Sequence, residues 1–161
     1  MPTPDKYSLK RLLEDTSESL SAQTMVTSLI DQVDSHQIHG NGATTLVFNH
    51  PNCHSVLDIE FDGPDKIWVS NLDVVNSQGQ PDPECFRKGY GRQMLELLVQ
   101  AADVHEVHLE LIAAPPAYLR RQFPELPDKD ELADFYARYG FETTNSNPMQ
   151  VYMKRTPVTH P

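Results

Sequence analysis

The chain has 161 residues and a formal net charge of -10, which is long enough for a single domain (1–161) with a sizeable core. That charge argues against broad nucleic-acid binding, which needs a basic face for phosphates, and no apolar run approaches the roughly 18 residues of a membrane span. With no charged-then-apolar leader and only two cysteines, Cys53 and Cys85, whose spacing demands no bridge, the expectation is a soluble protein in a reduced, cytoplasmic setting.

In chain order, Met1 to Tyr7 reads as a loose start or a short edge strand. From Ser8 to about Val33, Leu9, Leu12, Leu13, Leu20, Leu29, Ile30 and Val33 recur near helical spacing. Serines and threonines around Thr16 to Ser21 divide this stretch into two helices. His36 to Gly42 ends the helical region. Thr44 to Asn49 is β-branched and apolar, and from Ser55 the alternation of Ser55, Leu57, Ile59 and Phe61 against Val56, Asp58 and Glu60 marks a strand with one core face. Asp62-Gly63-Pro64-Asp65 predicts a hairpin turn into a strand over Lys66 to Val75, followed by a polar loop to Glu84.

The stretch Phe86 to Leu95 then carries Gly89 and Gly91, with Leu95, Leu98, Val99 and Ala102 on one face of a helix that follows. Glycines at a helix start leave N–H groups unshielded, and Arg87, Lys88 and Arg92 crowd the same turn, so this is a local anion site in an acidic chain. The same residues also suit a plain glycine turn into a core helix. Met94 stands where a dinucleotide fingerprint needs a third glycine, and no Gly-Lys-Ser/Thr occurs, so neither nucleotide signature fits. Val107 to Ala113 is a further strand, parallel to Lys66–Val75 by the crossover. Ala114 to Asp128 holds four prolines and room for one helical turn. Asp130 to Tyr139 is a helix stopped by Gly140, Phe141–Thr144 and Gln150–Lys154 form a closing strand pair, and Thr156–Pro161 is a loose tail.

Three of these motifs, in order, resemble the GNAT acyl-CoA transferase superfamily: Leu72-Asp73-Val74 on a strand, Gly89-x-Gly91 opening a helix, and Phe135-Tyr136-x-x-x-Gly140-Phe141. The resemblance covers the element order from about residue 8 to 155. It implies an α/β (α+β) fold, with a mixed sheet of six to seven strands splayed at an acyl-CoA site and about four flanking helices. It also implies transfer of an acetyl group from acetyl-CoA to an amine by direct attack in a ternary complex. Leu72, Val74 and Val75 would line the pantetheine, and Phe86, Arg87, Lys88, Gly89, Tyr90, Gly91 and Arg92 the pyrophosphate. Tyr136 would protonate the leaving thiolate, or else simply pack beside Phe135.

The resemblance names no base. Asp58, Glu60, Asp73, His108 and Glu110 sit on strands, and Asp73 and Glu110 are the candidates; alternating carboxylates equally suit a solvated face. Phe86 replaces the family's Gln/Arg, and Lys129 a frequent asparagine. These departures keep a second reading open, a GNAT-like module with little or no turnover that binds CoA or a protein partner. No metal is expected: His50, Cys53 and His54 cluster, but no second ligand pair has matching spacing. A homodimer is compatible with the sequence, and a membrane or nucleic-acid partner is not expected.

Overall fold

The computed structural model describes residues 21–158. The readings made for 1–20 and 159–161, including the first of the two N-terminal helices, lie outside the described residues. The second is α1, Ser21–Gln32, which buries Ala22, Met25, Val26 and Leu29 at the i, i+3, i+4, i+7 positions of one face. Its partner is α2, Tyr90–His105, whose Leu95, Leu98 and Ala102 are buried. Two further helices, α3 (Ala117–Gln122) and α4 (Lys129–Ala137), complete a set of four among the described residues. None of these is long and apolar enough to cross a membrane.

The strands among the described residues are β1 (Ser35–Ile38), β2 (Ala43–His50), β3 (Cys53–Phe61), β4 (Lys66–Asn76), β5 (His108–Ala113), β6 (Glu142–Asn147) and β7 (Gln150–Arg155). They form one seven-stranded mixed sheet in the order β1-β2-β3-β4-β5-β7-β6. Every pairing is antiparallel except β4 with β5. α2 packs over β3 and β4, whereas α4 packs against β5 and β7. The expected α+β sheet with about four helices is therefore present.

Three expectations need correction. Residues 35–38 form a strand rather than a helix-ending loop; Ser-His-Gln-Ile is exposed and apolar at one position only, so its place comes from backbone pairing with β2. Cys53 and Cys85, read as unpaired thiols in a reduced setting, form a disulfide, with Cα atoms 5.9 Å apart across a separation of 32 residues. The hairpin joining β2 to β3 and the turn after β4 meet in space, which no local spacing reveals. The tail is also held at its start. Arg155, 4% exposed, donates through Nη1 and Nη2 to Asp103 at 2.7 and 2.9 Å, and Asp103 also accepts from the Val158 N–H at 2.8 Å.

The core is centred where α1 and α2 cover the sheet. Leu98→Ala should therefore cost about 2–5 kcal/mol in urea unfolding. Val104→Ala, at a position 75% exposed on the same helix, should stay within about 0.5 kcal/mol.

Candidate active site

β4 carries the first half of the site because it has an extra residue. Asp58 pairs with Asn71 while Ile59 pairs with Val69, so Ser70 is bulged out, its Oγ donating to the Asp58 carbonyl at 3.2 Å. A bulge bends its strand. The parallel pairing of β4 with β5 stops there: it runs from Lys66–His108 to Val69–Leu111 and no further. From Asn71 to Asn76, β4 has β3 on one side and an open edge on the other.

Which amides face that edge follows from the ladder. The Asn76 N–H donates to the Gln80 carbonyl at 2.8 Å and the Val74 N–H to Asp73 Oδ1 at 3.0 Å. Antiparallel alternation then turns Leu72, Val74 and Asn76 toward the open edge, and Asp73 and Val75 toward β3. Of the backbone partners expected from sequence, Leu72 and Val74 offer their amides to the cleft, and the Val75 amide faces β3.

The second half is the turn into α2. Arg87 (φ 57) and Gly89 (φ 79) are both left-handed and flank Lys88, an arrangement that makes successive N–H groups converge. Gly89 is the N-cap of α2, with no side chain capping the helix. Among the described residues, the N–H groups of Arg87, Lys88, Gly89, Tyr90, Gly91 and Arg92 have no acceptor. Six adjacent free donors beside three cationic side chains form a cradle for an anion. Arg87 and Lys88 are exposed. Arg87 also donates through Nη2 to the Glu125 carbonyl at 3.2 Å. Phe86 meets Phe123 edge to face, with ring centroids 5.5 Å apart. At the position where the resemblance expects a polar contact, this chain therefore has a piece of cleft wall.

Below the cradle lies a support that sequence reasoning missed. Ser55, fully buried, donates through Oγ to the Tyr90 carbonyl at 3.0 Å, and His50 Nε2 is 2.8 Å from Ser55 Oγ. A hydroxyl has one hydrogen, already given to a carbonyl, so His50 Nε2 is the donor in the second bond. The His50 ring also stacks on Tyr90 at 3.9 Å, 12° from parallel, and burial lowers its pKa, against a smaller upward pull from Asp34. The available signal was Ser55 itself, a polar residue on the apolar face of its strand.

The open edge, the cradle, residues 125–127 and α4 enclose a cleft of about 810 Å³. Tyr136 lines it from α4, 6% exposed, with its ring against Phe135 (5.3 Å) and Phe141 (5.6 Å) and no protein hydrogen-bond partner for its hydroxyl among the described residues. Burial, and secondarily the charge of Asp73, push its pKa up to about 12, so it is a neutral donor at physiological pH. Asp73 lines the same cleft. Burial raises its pKa, the Val74 N–H partly opposes this, and Asp58 adds to it.

Glu110, the other base candidate, stands opposite Trp68 in the β4–β5 ladder, 3.3 Å from Lys66 Nζ, and is not part of the cleft lining. Lys129 begins α4 and pairs with Asp130 at 2.9 Å. Of the residues considered for a metal, Cys53 is in the disulfide, His50 is bound to Ser55, and His54 Nδ1 is 2.8 Å from Asn49 Oδ1.

No protein-family model and no curated protein sequence matches the chain. Solved structures do resemble it. Ard1 from Thermoplasma volcanium is 14% identical, with 84% of this chain and 80% of that one covered at a TM-score of 0.48. A GNAT family acetyltransferase from Elizabethkingia anophelis, with acetyl-CoA bound, is 11% identical over 96% and 92% of the two chains, also at 0.48. An acyl-CoA N-acyltransferase from Pseudomonas aeruginosa is 17% identical over 94% and 92%, at 0.44.

Asp73 has a testable signature. Its folded pKa is raised, so the folded state holds this proton more tightly than the unfolded state; the associated stability is full below the unfolded value of 3.8 and is lost as pH rises through the folded pKa. Asp73→Asn should therefore unfold at higher urea than the parent at pH 7. The advantage should disappear near pH 3, and a parent more stable than the variant at pH 7 would contradict the assignment.

Proposed function

We propose that this chain is an acyl-CoA-dependent N-acetyltransferase of the GNAT type, which moves an acetyl group from acetyl-CoA to an amine by direct attack. The observation that carries the reading is the run of six unpaired amides, Arg87 to Arg92, at the edge of the cleft lined by Asp73 and Tyr136. A diphosphate suits that run because it is an anion needing several donors at once. The open edge of β4 suits an extended chain carrying amides, which would add to Leu72 and Val74 as another strand would.

The residues divide the chemistry. Acetyl-CoA supplies a thioester, whose carbonyl needs a donor and whose sulfur needs a proton on leaving. Val74 is the donor placed for the carbonyl: its N–H faces the cleft and is held meanwhile by Asp73 Oδ1. Tyr136 supplies the proton. A thiol of pKa about 8.5 is a tolerable leaving group, and a phenol kept neutral by burial is protonated whenever it is needed.

Asp73 is the base for the amine, in preference to Glu110, whose carboxylate is ion-paired with Lys66. The amine arrives almost wholly protonated, since its pKa is about 10.4 in a lysine-like acceptor. Once the Val74 N–H turns to the thioester, Asp73 loses the hydrogen bond that holds its pKa down and becomes the stronger base. Donor binding thus readies the group that activates the acceptor. An acidic chain of charge -10 favours a cationic acceptor, consistent with an amine.

Acetyl-CoA at a hundredfold excess over its Kd should add about 2.7 kcal/mol to the unfolding free energy, and no gain at saturation would remove the donor from the account. Tyr136→Phe should lower kcat about a hundredfold, read as thiol release against a panel of amines, with the donor Kd unchanged. A variant with full turnover would return Tyr136 to a packing role.

A further inference from the structure

The cradle hangs between two anchors of different kinds. On its C-terminal side, α2 is fixed in the core through Met94, Leu95 and Leu98, all fully buried. On its N-terminal side the chain arrives through the loop after β4. Among the described residues, the backbone–backbone hydrogen bonds of that loop run back to Asn76 or within the loop itself, Gly79 to Asn76, Cys85 to Asp82 and Phe86 to Pro83, and beyond it the Arg87 side chain reaches the Glu125 carbonyl. Its one covalent tie to the rest of the fold is the disulfide from Cys85 to Cys53.

Cys85 immediately precedes Phe86 and the left-handed Arg87, a conformation that a non-glycine residue adopts only when its surroundings impose it. Cys53 opens β3, two residues before the Ser55 that holds the Tyr90 carbonyl. The β2–β3 hairpin therefore grips the cradle at two points, by a hydrogen bond at Tyr90 and by a covalent bond at Cys85. Cutting the second removes the covalent restraint next to Phe86 and leaves the left-handed Arg87 held only by its side chain on the Glu125 carbonyl and by Phe86 against Phe123. These contacts fix the convergence of the amides less firmly than a covalent bond does.

We propose that the Cys53–Cys85 disulfide is a reducible clamp on the anion cradle, so that thiol–disulfide exchange with a dithiol reductant lowers the affinity of the site for its donor. The inference rests on the reading of that cradle as the donor site. The step balances. A thiolate of the reductant attacks the Cys85 sulfur, the bond between the two protein sulfurs breaks, and Cys53 leaves as a thiolate that takes up a proton. The second thiol of the reductant then closes on the first, releasing Cys85 and leaving a cyclic disulfide, with two electrons passed to the protein. Both cysteines are buried, but Cys85 lines the cleft, so the attacking thiolate enters there, where a bound donor would shield it. Linkage then makes the effect reciprocal: a ligand that prefers the oxidised form protects the bond from reduction.

The test uses the full chain and desulfo-CoA, which carries the diphosphate but no thiol. Calorimetric titration is made on the oxidised protein, on protein reduced with dithiothreitol, and on the Cys53→Ser/Cys85→Ser variant, with circular dichroism to follow the fold. The expected result is binding roughly tenfold weaker in the reduced protein and in the variant, regained by the reduced protein on reoxidation. Desulfo-CoA should also slow reduction of the oxidised form. Equal affinity in folded oxidised and folded reduced or variant protein would overturn the clamp, as would loss of the fold in both the reduced protein and the variant, which would make the bond purely structural. Failure of the oxidised protein to bind at all would overturn the donor reading and the clamp with it.

Discussion

A backbone N–H that finds no acceptor among the described residues is an unmet demand, and six in succession from Arg87 to Arg92 are the constraint on which this molecule turns. Helix starts always leave some donors over, but here two left-handed residues, Arg87 and Gly89, extend the supply backwards into the turn and make it converge. The bulge at Ser70 does the complementary work. It takes β4 away from β5 after Val69 and so leaves a strand edge open beside the cradle. Free donors at the turn and, along the strand edge, the Leu72 amide with the Val74 amide held by its neighbour Asp73 together suit a long ligand with an anionic part and an amide-bearing part.

Burial inside the cleft acts on Tyr136 and Asp73 in the same direction. Tyr136 is too buried to ionise, and burial raises the Asp73 pKa. The two are coupled, since the Asp73 charge adds to the upward shift at Tyr136. Protonating Asp73 therefore eases the burden on Tyr136, which is the direction required if one group collects a proton while the other releases one. The Val74 N–H stands at the centre of this arrangement, because it holds the Asp73 carboxylate and faces the open edge of β4.

Much of this was legible in the sequence because it is written locally. Gly89 and Gly91 before a helical stripe, alternation along Ser55 to Phe61, and Tyr136 before Gly140 each depend on neighbours a few residues away. What stayed hidden depends on pairing. Residues 35–38 carry too few apolar side chains to announce a strand and owe their place to β2. Cys53 and Cys85 meet only because a hairpin and a distant turn converge, so their spacing of 32 residues has no meaning by itself. Which of Asp73 and Glu110 lies on the cleft likewise needed the ladder: its parity sends the Val74 amide to the cleft and the Val75 amide to β3, and its bend opens the cleft at Asp73 and not at Glu110. Phe86 was a departure without a reason until Phe123 supplied one.

The most direct measurement is a titration of the nitrogen-15-labelled chain with CoA, followed amide by amide in solution. The account predicts saturable shifts concentrated at Arg87 to Arg92, with a second group at Leu72 and Val74 and little change at Val75. Saturable shifts that bypass the Arg87–Arg92 amides, or none at any concentration of CoA, would contradict it.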